Sequence, residues 1–396
     1  MIERIDVFMP PRSQYQVLHH FTQSLAAALT RTGVSCRVLE AQRDQPQLFI
    51  DELLRNKPEC TLSFNGLLPD EEGRFFCNLI RIPHVACLVD APQHYLALIR
   101  SPYSVITCVD RFYCDFFQGL NFQNSLFMPH GVDKELIIPP TPLDERPFEA
   151  LMLASFIDYE QVRKTWKKTF ETALCKALEE AAEIILSERD IPCVQALALA
   201  LDRQTRSPMG LDPAKIDFVM ALDQLEDYVN GRDRVDLLKG IKDAQVHVFG
   251  AGAEGWKKHL GQSRNILTHD AVSYDQALKL MRQSKVVLNS CPTIKNGAHE
   301  RIFAGIASGA AVVTNDNLYM HDNFKHGDSI LFYHHGRWEE INREINAYLH
   351  DEEKRLVLVK NGQKIVHEGH TWDHRAATLI SELSPILKRI GAMHAT

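Results

Sequence analysis

The run Asn296–Asp316, NGAHERIFAGIASGAAVVTND, holds the densest set of groups able to do chemistry in this chain. It reads as a loop, a helix beginning near Gly297, and a new strand. Free backbone N–H groups and the positive end of a helix attract anions, phosphate above all. Arg301, one turn inside, could add a charge-assisted contact to a diphosphate, and Glu300 could take a hydroxyl. An ordinary strand–helix–strand unit with a charged helix start accounts for the same residues. Gly250-Ala251-Gly252-Ala253-Glu254-Gly255 has the glycine spacing of a dinucleotide turn, with Asp270 roughly at the acidic position some 20 residues on. The same turn could instead let another ligand approach the backbone. Ser155 is placed to contact a phosphate or to cap a helix, and His269, with Val272, lies in a loop where a base could stack. Asp90, near His94, and His130 each stand at the end of an apolar run.

Those groups need elements to position them. RIDVFM, SCRVLEA, CTLSFNG, HVACLVDA, SVITCVD and NSLFMPHG read as strands, with helical stretches between several of them. That alternation predicts βα units and a parallel sheet, whose strand-end loops gather at one edge. A second series follows: EALMLASF, VHVFGAG, NILTHDAV, KVVLNSCP, GAAVVTND and SILFYHH. Between its first two members lies a block, roughly Tyr159–Asp243, with apolar residues at three- and four-residue spacing, as in helices. PPTPLDERP marks a linker. The expected organisation is α/β: two Rossmann-like domains facing a cleft. The first spans 1–138, the linker 139–150, and the second 151–375 with a helical insertion at 159–243. Residues 376–396 form a C-terminal helix crossing back to the first domain, where Trp372 and Arg375 would lock it.

From Gln245 to Arg375 the chain resembles the C-terminal domain of nucleotide-sugar glycosyltransferases of the GT-B type, the group-1, spore-maturation-like branch. VFGAGAEGW, His299-Glu300-Arg301-Ile302-Phe303 before Ala-x-x-Gly-Ala, Thr-Asn-Asp-Asn and Thr371-Trp372-x-x-Arg375 carry the resemblance. Met128-Pro129-His130-Gly131-Val132-Asp133 is similar to the segment closing the acceptor domain of such enzymes, and Asp90-Ala91-Pro92 to their Asp-x-Pro element. The resemblance implies a nucleotide diphosphate-sugar donor held by the second domain. Gly250 and Gly252 would line the donor side, and Asn296, Gly297, His299, Glu300 and Arg301 would face the diphosphate or sugar, with Ser155 and His269 beside them. An inverting transfer needs a base, for which Asp90 is the first candidate; His130 would touch donor phosphate or acceptor, or merely pack. Ala304 stands where related enzymes often carry a ribose-binding Glu.

Composition narrows the classes further. The 396 residues carry 44 Lys+Arg and 51 Asp+Glu, a formal charge of −7, without the basic patch of a nucleic-acid binder. No stretch has the roughly 18 apolar residues of a membrane span, and the start does not read as a signal peptide. Nine cysteines, an odd number with no Cys-x-x-Cys pair, point to free thiols in the cytoplasm. The histidines lack metal-ligand spacing, so neither a metal nor a cofactor is expected. The acceptor would be a protein or a glycan, and the insertion could serve an oligomer or a partner. Two rivals share the architecture: a nucleotide-sugar epimerase and a non-catalytic partner-binding subunit.

Overall fold

The computed structural model describes residues 2–40, 46–206, 211–261 and 263–393. The chain forms two compact units, Met1–Glu135 with His367–Thr396, and Leu136–Val366.

The first unit holds β1 (Arg4–Phe8), β2 (Ser35–Leu39), β3 (Cys60–Phe64), β4 (His84–Leu88), β5 (Ser104–Cys108) and β6 (Ser125–Phe127). All pair in parallel, in the order β2-β1-β3-β4-β5-β6. Strands β3, β4 and β5 are buried along their whole length, which their near-continuous apolar runs require. The one histidine among them, His84, is held between the hydroxyls of Thr61 (2.8 Å) and Ser63 (2.9 Å). Burial pushes its pKa down to about 3, so it sits in the core as a neutral ring. The C-terminal helix, Trp372–Met393, packs within this unit against the helix Val17–Arg31. Trp372 is buried against Phe21 and Phe64, while Arg375 donates to the carbonyls of His130 and Gly369, each at 3.0 Å. The return to the first unit comes at His367, ahead of the helix, because Thr371 already bridges to Val132.

The second unit holds β7 (Phe148–Leu153), β8 (Val246–Phe249), β9 (Ile266–His269), β10 (Ser284–Leu288), β11 (Ala311–Asn315) and β12 (Leu331–Tyr333). They too are parallel, in the order β12-β11-β10-β7-β8-β9. The chain winds from β7 through β8 to β9, then restarts on the other side at β10. Open sheets of this kind bind ligands where the winding reverses, outside the carboxyl ends of the two central strands. Here those are β7 and β10.

The block after β7 is helical: Tyr159–Thr169, Thr172–Ser187, Cys193–Thr205 and Phe218–Gly240. It has a core of its own, with Trp166, Leu178, Ile185, Leu197, Leu225 and Val229. The last of these helices serves two cores, since Val235, Leu237 and Leu238 pack with the sheet residues Val246 and Val286. Its second half therefore belongs to the sheet domain, not to a free-standing insertion.

Candidate functional site

At the ends of β7 and β10 stand Leu153-Ala154-Ser155 and Asn289-Ser290-Cys291. The helix that follows begins at Glu300, with His299 as its N-cap, three residues later than the expected start near Gly297. Residues 291–299 are instead a loop pinned from both sides. Asn317 Nδ2 donates to the carbonyls of Ile294 (3.0 Å) and Gly297 (3.1 Å). Lys295, 4 % exposed, donates Nζ–H to the carbonyls of Ile185 and Glu188 at 2.6 Å, capping the end of an insertion helix. Asn296 is half-buried and Gly297 buried in that loop.

Arg301 reaches back to both strand ends. Its Nε donates to Asn289 Oδ1 (3.2 Å), one terminal nitrogen to the Leu153 carbonyl (2.9 Å), and the other to His299 Nε2 (3.1 Å). A guanidinium only donates, so His299 Nε2 accepts, while its Nδ1 lies against the Glu300 carboxylate and 3.4 Å from the Arg301 backbone N–H. Burial, and next the charge of Arg301, hold the His299 pKa below its ordinary value. Glu300, 8 % exposed, thus orients a neutral imidazole that orients Arg301.

A second guanidinium stands beside it. Arg234 donates to the Ser155 carbonyl at 2.8 Å, two residues beyond the Leu153 carbonyl that Arg301 takes. Its Nε is buried without a partner. Burial, followed by repulsion from Arg301, lowers its pKa to about 10. Two half-buried guanidiniums, one lowering the pKa of the other, can together attract an anion, and a diphosphate matches two forked donors. Sequence reasoning passed over Arg234 because it lies in a helix read as insertion. One signal was available: Gly231, a helix-weakening residue in mid-helix. A Cβ there would stand 2.8 Å from the Ile157 carbonyl, so glycine is what lets this helix approach the loop after β7.

The glycine turn after β8 has a packing role. A Cβ on Gly250 would lie 2.0 Å from the Ala154 carbonyl oxygen, and one on Gly255 2.1 Å from the Phe156 ring. Gly252 has φ +87°, in the left-handed region. The turn seats the 154–156 segment, with Phe156 N–H donating to the Ala251 carbonyl (2.8 Å). Half-buried Ser155 lies two residues beyond β7. His269 is half-buried at the end of β9, stacked on Phe249 (4.3 Å) and on His247 (5.1 Å).

In the first unit, Asp90 is exposed just after β4. Asn65, following β3, donates Nδ2–H to Asp90 Oδ2 (2.7 Å), and the Tyr95 hydroxyl lies at 3.4 Å. Asn65 itself has φ +59°, and Tyr15 and Gln16, beyond β1, have φ +55° and +65°. Side-chain-bearing residues held in left-handed conformations concentrate at functional edges. His130, by contrast, is 5 % exposed and packs its ring on Phe21 at 5.3 Å. It belongs to the interior of the unit, where the helix-locking Arg375 also binds its carbonyl. Among the described residues no group of three His, Cys, Asp or Glu could hold a metal ion, and no helix is long and apolar enough to cross a membrane.

Residues 232–381, which include both arginines, match the family model described as glycosyl transferase-like. The whole fold matches GT-B enzymes of known structure. The fold is that of GT-B enzymes, and residues 232–381 are similar to glycosyl transferases. Anabaena HepE in complex with UDP and glucose is 12 % identical, with 97 % of this chain and 100 % of that one covered at a TM-score of 0.55. Sucrose-phosphate synthase from Thermosynechococcus elongatus is 10 % identical, with 98 % and 100 % covered at 0.56. A glycosyltransferase from Rickettsia africae is 10 % identical, with 98 % and 99 % covered at 0.53. None of the curated proteins compared matches the chain in sequence.

Proposed function

We propose that this protein is a glycosyltransferase that moves a sugar from a nucleoside diphosphate donor to a protein or glycan acceptor, with the donor phosphates between Arg234 and Arg301. The observation that carries the reading is the pair of guanidiniums at the switch point of the second sheet, anchored to carbonyls two residues apart. The complexes of HepE with UDP and with UDP-glucose support a nucleotide sugar of that kind as donor. As the bond from the sugar C1 to the diphosphate oxygen breaks, negative charge grows on the leaving group. Fixed cations in a half-buried site stabilise that charge without reorganising, so the proposal gives a metal no part. Arg301 is held by His299, and His299 by Glu300. Ser155, Asn296 and Gly297 border the same edge. His269 and the glycines of the turn shape its floor.

In a transfer with inversion the acceptor hydroxyl must lose a proton as its oxygen bonds to C1. Asp90, oriented by Asn65 and Tyr95, is the group proposed to take it. All nine cysteines are free, which supports a reducing compartment, the cytoplasm.

The test is a thermal-shift series with UDP, GDP, ADP, CDP and dTDP, followed by incubation with the matching nucleotide sugars. A nucleoside diphosphate at about 100 times its Kd should stabilise the protein by about 2.7 kcal/mol, and the matching sugar donor should release that diphosphate. Stabilisation by none of the five would overturn the donor assignment. Conversion of the sugar nucleotide into an isomer without release would replace transfer by epimerisation.

A further inference from the structure

Asp233 is fully buried, and the reading of the donor site leaves it without a task. A carboxylate taken out of water costs several kcal/mol unless donors surround it. Here they come from three successive strand ends. Oδ2 accepts from the Ser290 hydroxyl after β10 (2.7 Å), from Asn315 Nδ2 at the end of β11 (3.3 Å), and from the Tyr333 hydroxyl at the end of β12 (2.5 Å). Oδ1 lies 3.1 Å from His335 Nδ1. The far nitrogen of His335 is 3.6 Å from Asp236 one turn along the same helix, so both carboxylates hold that ring.

Apolar side chains could bury this helix face as well, but they would not fix its rotation or its position along the axis. Directional bonds from β10, β11 and β12 do both. The next residue is Arg234, whose guanidinium must meet the carbonyl after β7. We infer that Asp233 is a positioning residue of the donor site: by clamping the helix Phe218–Gly240 to three strand ends it sets Arg234 against Arg301 to receive the donor diphosphate. The inference rests on the donor site proposed above. It assigns the end of the helical block a role in donor binding.

The test is a double-mutant cycle read by calorimetry, using the tightest of the five nucleoside diphosphates and its parent nucleoside. Asp233→Asn keeps the side-chain shape but replaces one acceptor by a donor. It should weaken the diphosphate at least tenfold while changing nucleoside affinity less than twofold. In an Arg234→Ala background the same change should add less than twofold, because the group it positions is gone. A merely structural role predicts equal losses for nucleoside and diphosphate, and losses that multiply with Arg234→Ala. Either result, or unchanged diphosphate binding in Asp233→Asn, overturns the inference. If Asp233→Asn does not fold, Tyr333→Phe removes one clamp donor without changing volume and is put through the same cycle with the same criteria, at threefold or more. A wild-type protein that binds no nucleoside diphosphate, or an Arg301→Ala variant that binds as well as wild type, refutes the donor site itself.

Discussion

Arg234→Met should stabilise the empty protein and weaken it for its ligand. In the free state the Arg234 guanidinium is desolvated and faces Arg301, and a pKa held at about 10 rather than 12.5 corresponds to about 3 kcal/mol of cost. The group is half-buried, so solvent screening reduces this to about 2 kcal/mol. Methionine gives up the bond to the Ser155 carbonyl, about 1 kcal/mol, and keeps much of the buried stem. The net gain is about 1 kcal/mol, or roughly 2–4 °C for a domain of this size. The sign holds over a wide range of pH. A base whose folded pKa is depressed destabilises fully below that value and fades only as pH climbs toward the unfolded value, so the gain is constant from about pH 5 to 9. With ligand present the balance reverses. Losing charge-assisted bonds to a diphosphate costs about 2–3 kcal/mol, roughly 30- to 150-fold in Kd. Differential scanning calorimetry without ligand and titration calorimetry with a nucleoside diphosphate read the two halves. A variant with a lower melting temperature when empty, or one that binds the diphosphate as tightly as wild type, refutes the idea that these cations wait for an anion.

Three further outcomes are expected. Gly250→Ala places a methyl 2.0 Å from the Ala154 carbonyl oxygen and should cost about 3 kcal/mol or more, read as a lower denaturant midpoint; a neutral effect would mean that the turn is open to a ligand. His84 and His370, each held near pKa 3 chiefly by burial, stay neutral in the folded state while the unfolded chain takes up protons below pH 6.5. Each should remove about 2 kcal/mol of stability between pH 6.5 and 5, and His84→Asn should flatten that slope in denaturant titrations. Asp90→Asn should lower kcat at least 100-fold while leaving nucleoside diphosphate affinity unchanged; full activity would remove Asp90 as the base and point to a transfer with retention.

Both sheets were legible because buried parallel strands must be apolar along their length, as in HVACL and SVITC, and because polar turns follow each one. Arg301 was legible from its place near the start of a helix after a strand, although it is the second helical residue and not one turn inside. The start of that helix was misplaced because Asn317 and Lys295, brought in by the fold, hold 291–299 as a loop. The glycine turn after β8 has the spacing of a dinucleotide turn in sequence, and in the fold the backbone of 154–156 presses against it. His130 stands at a strand end, yet the C-terminal helix and Phe21 cover it. Arg234 and Asp233 were hidden for another reason. The helix carrying them packs one end into the insertion core and the other into the sheet, so no single apolar face marks which side chains point at a site.

The most direct test is a crystal structure with the tightest-binding nucleoside diphosphate. The β-phosphate should lie within about 3 Å of nitrogens of both Arg234 and Arg301, at the ends of β7 and β10. A diphosphate bound anywhere else, or touching neither guanidinium, would contradict the account.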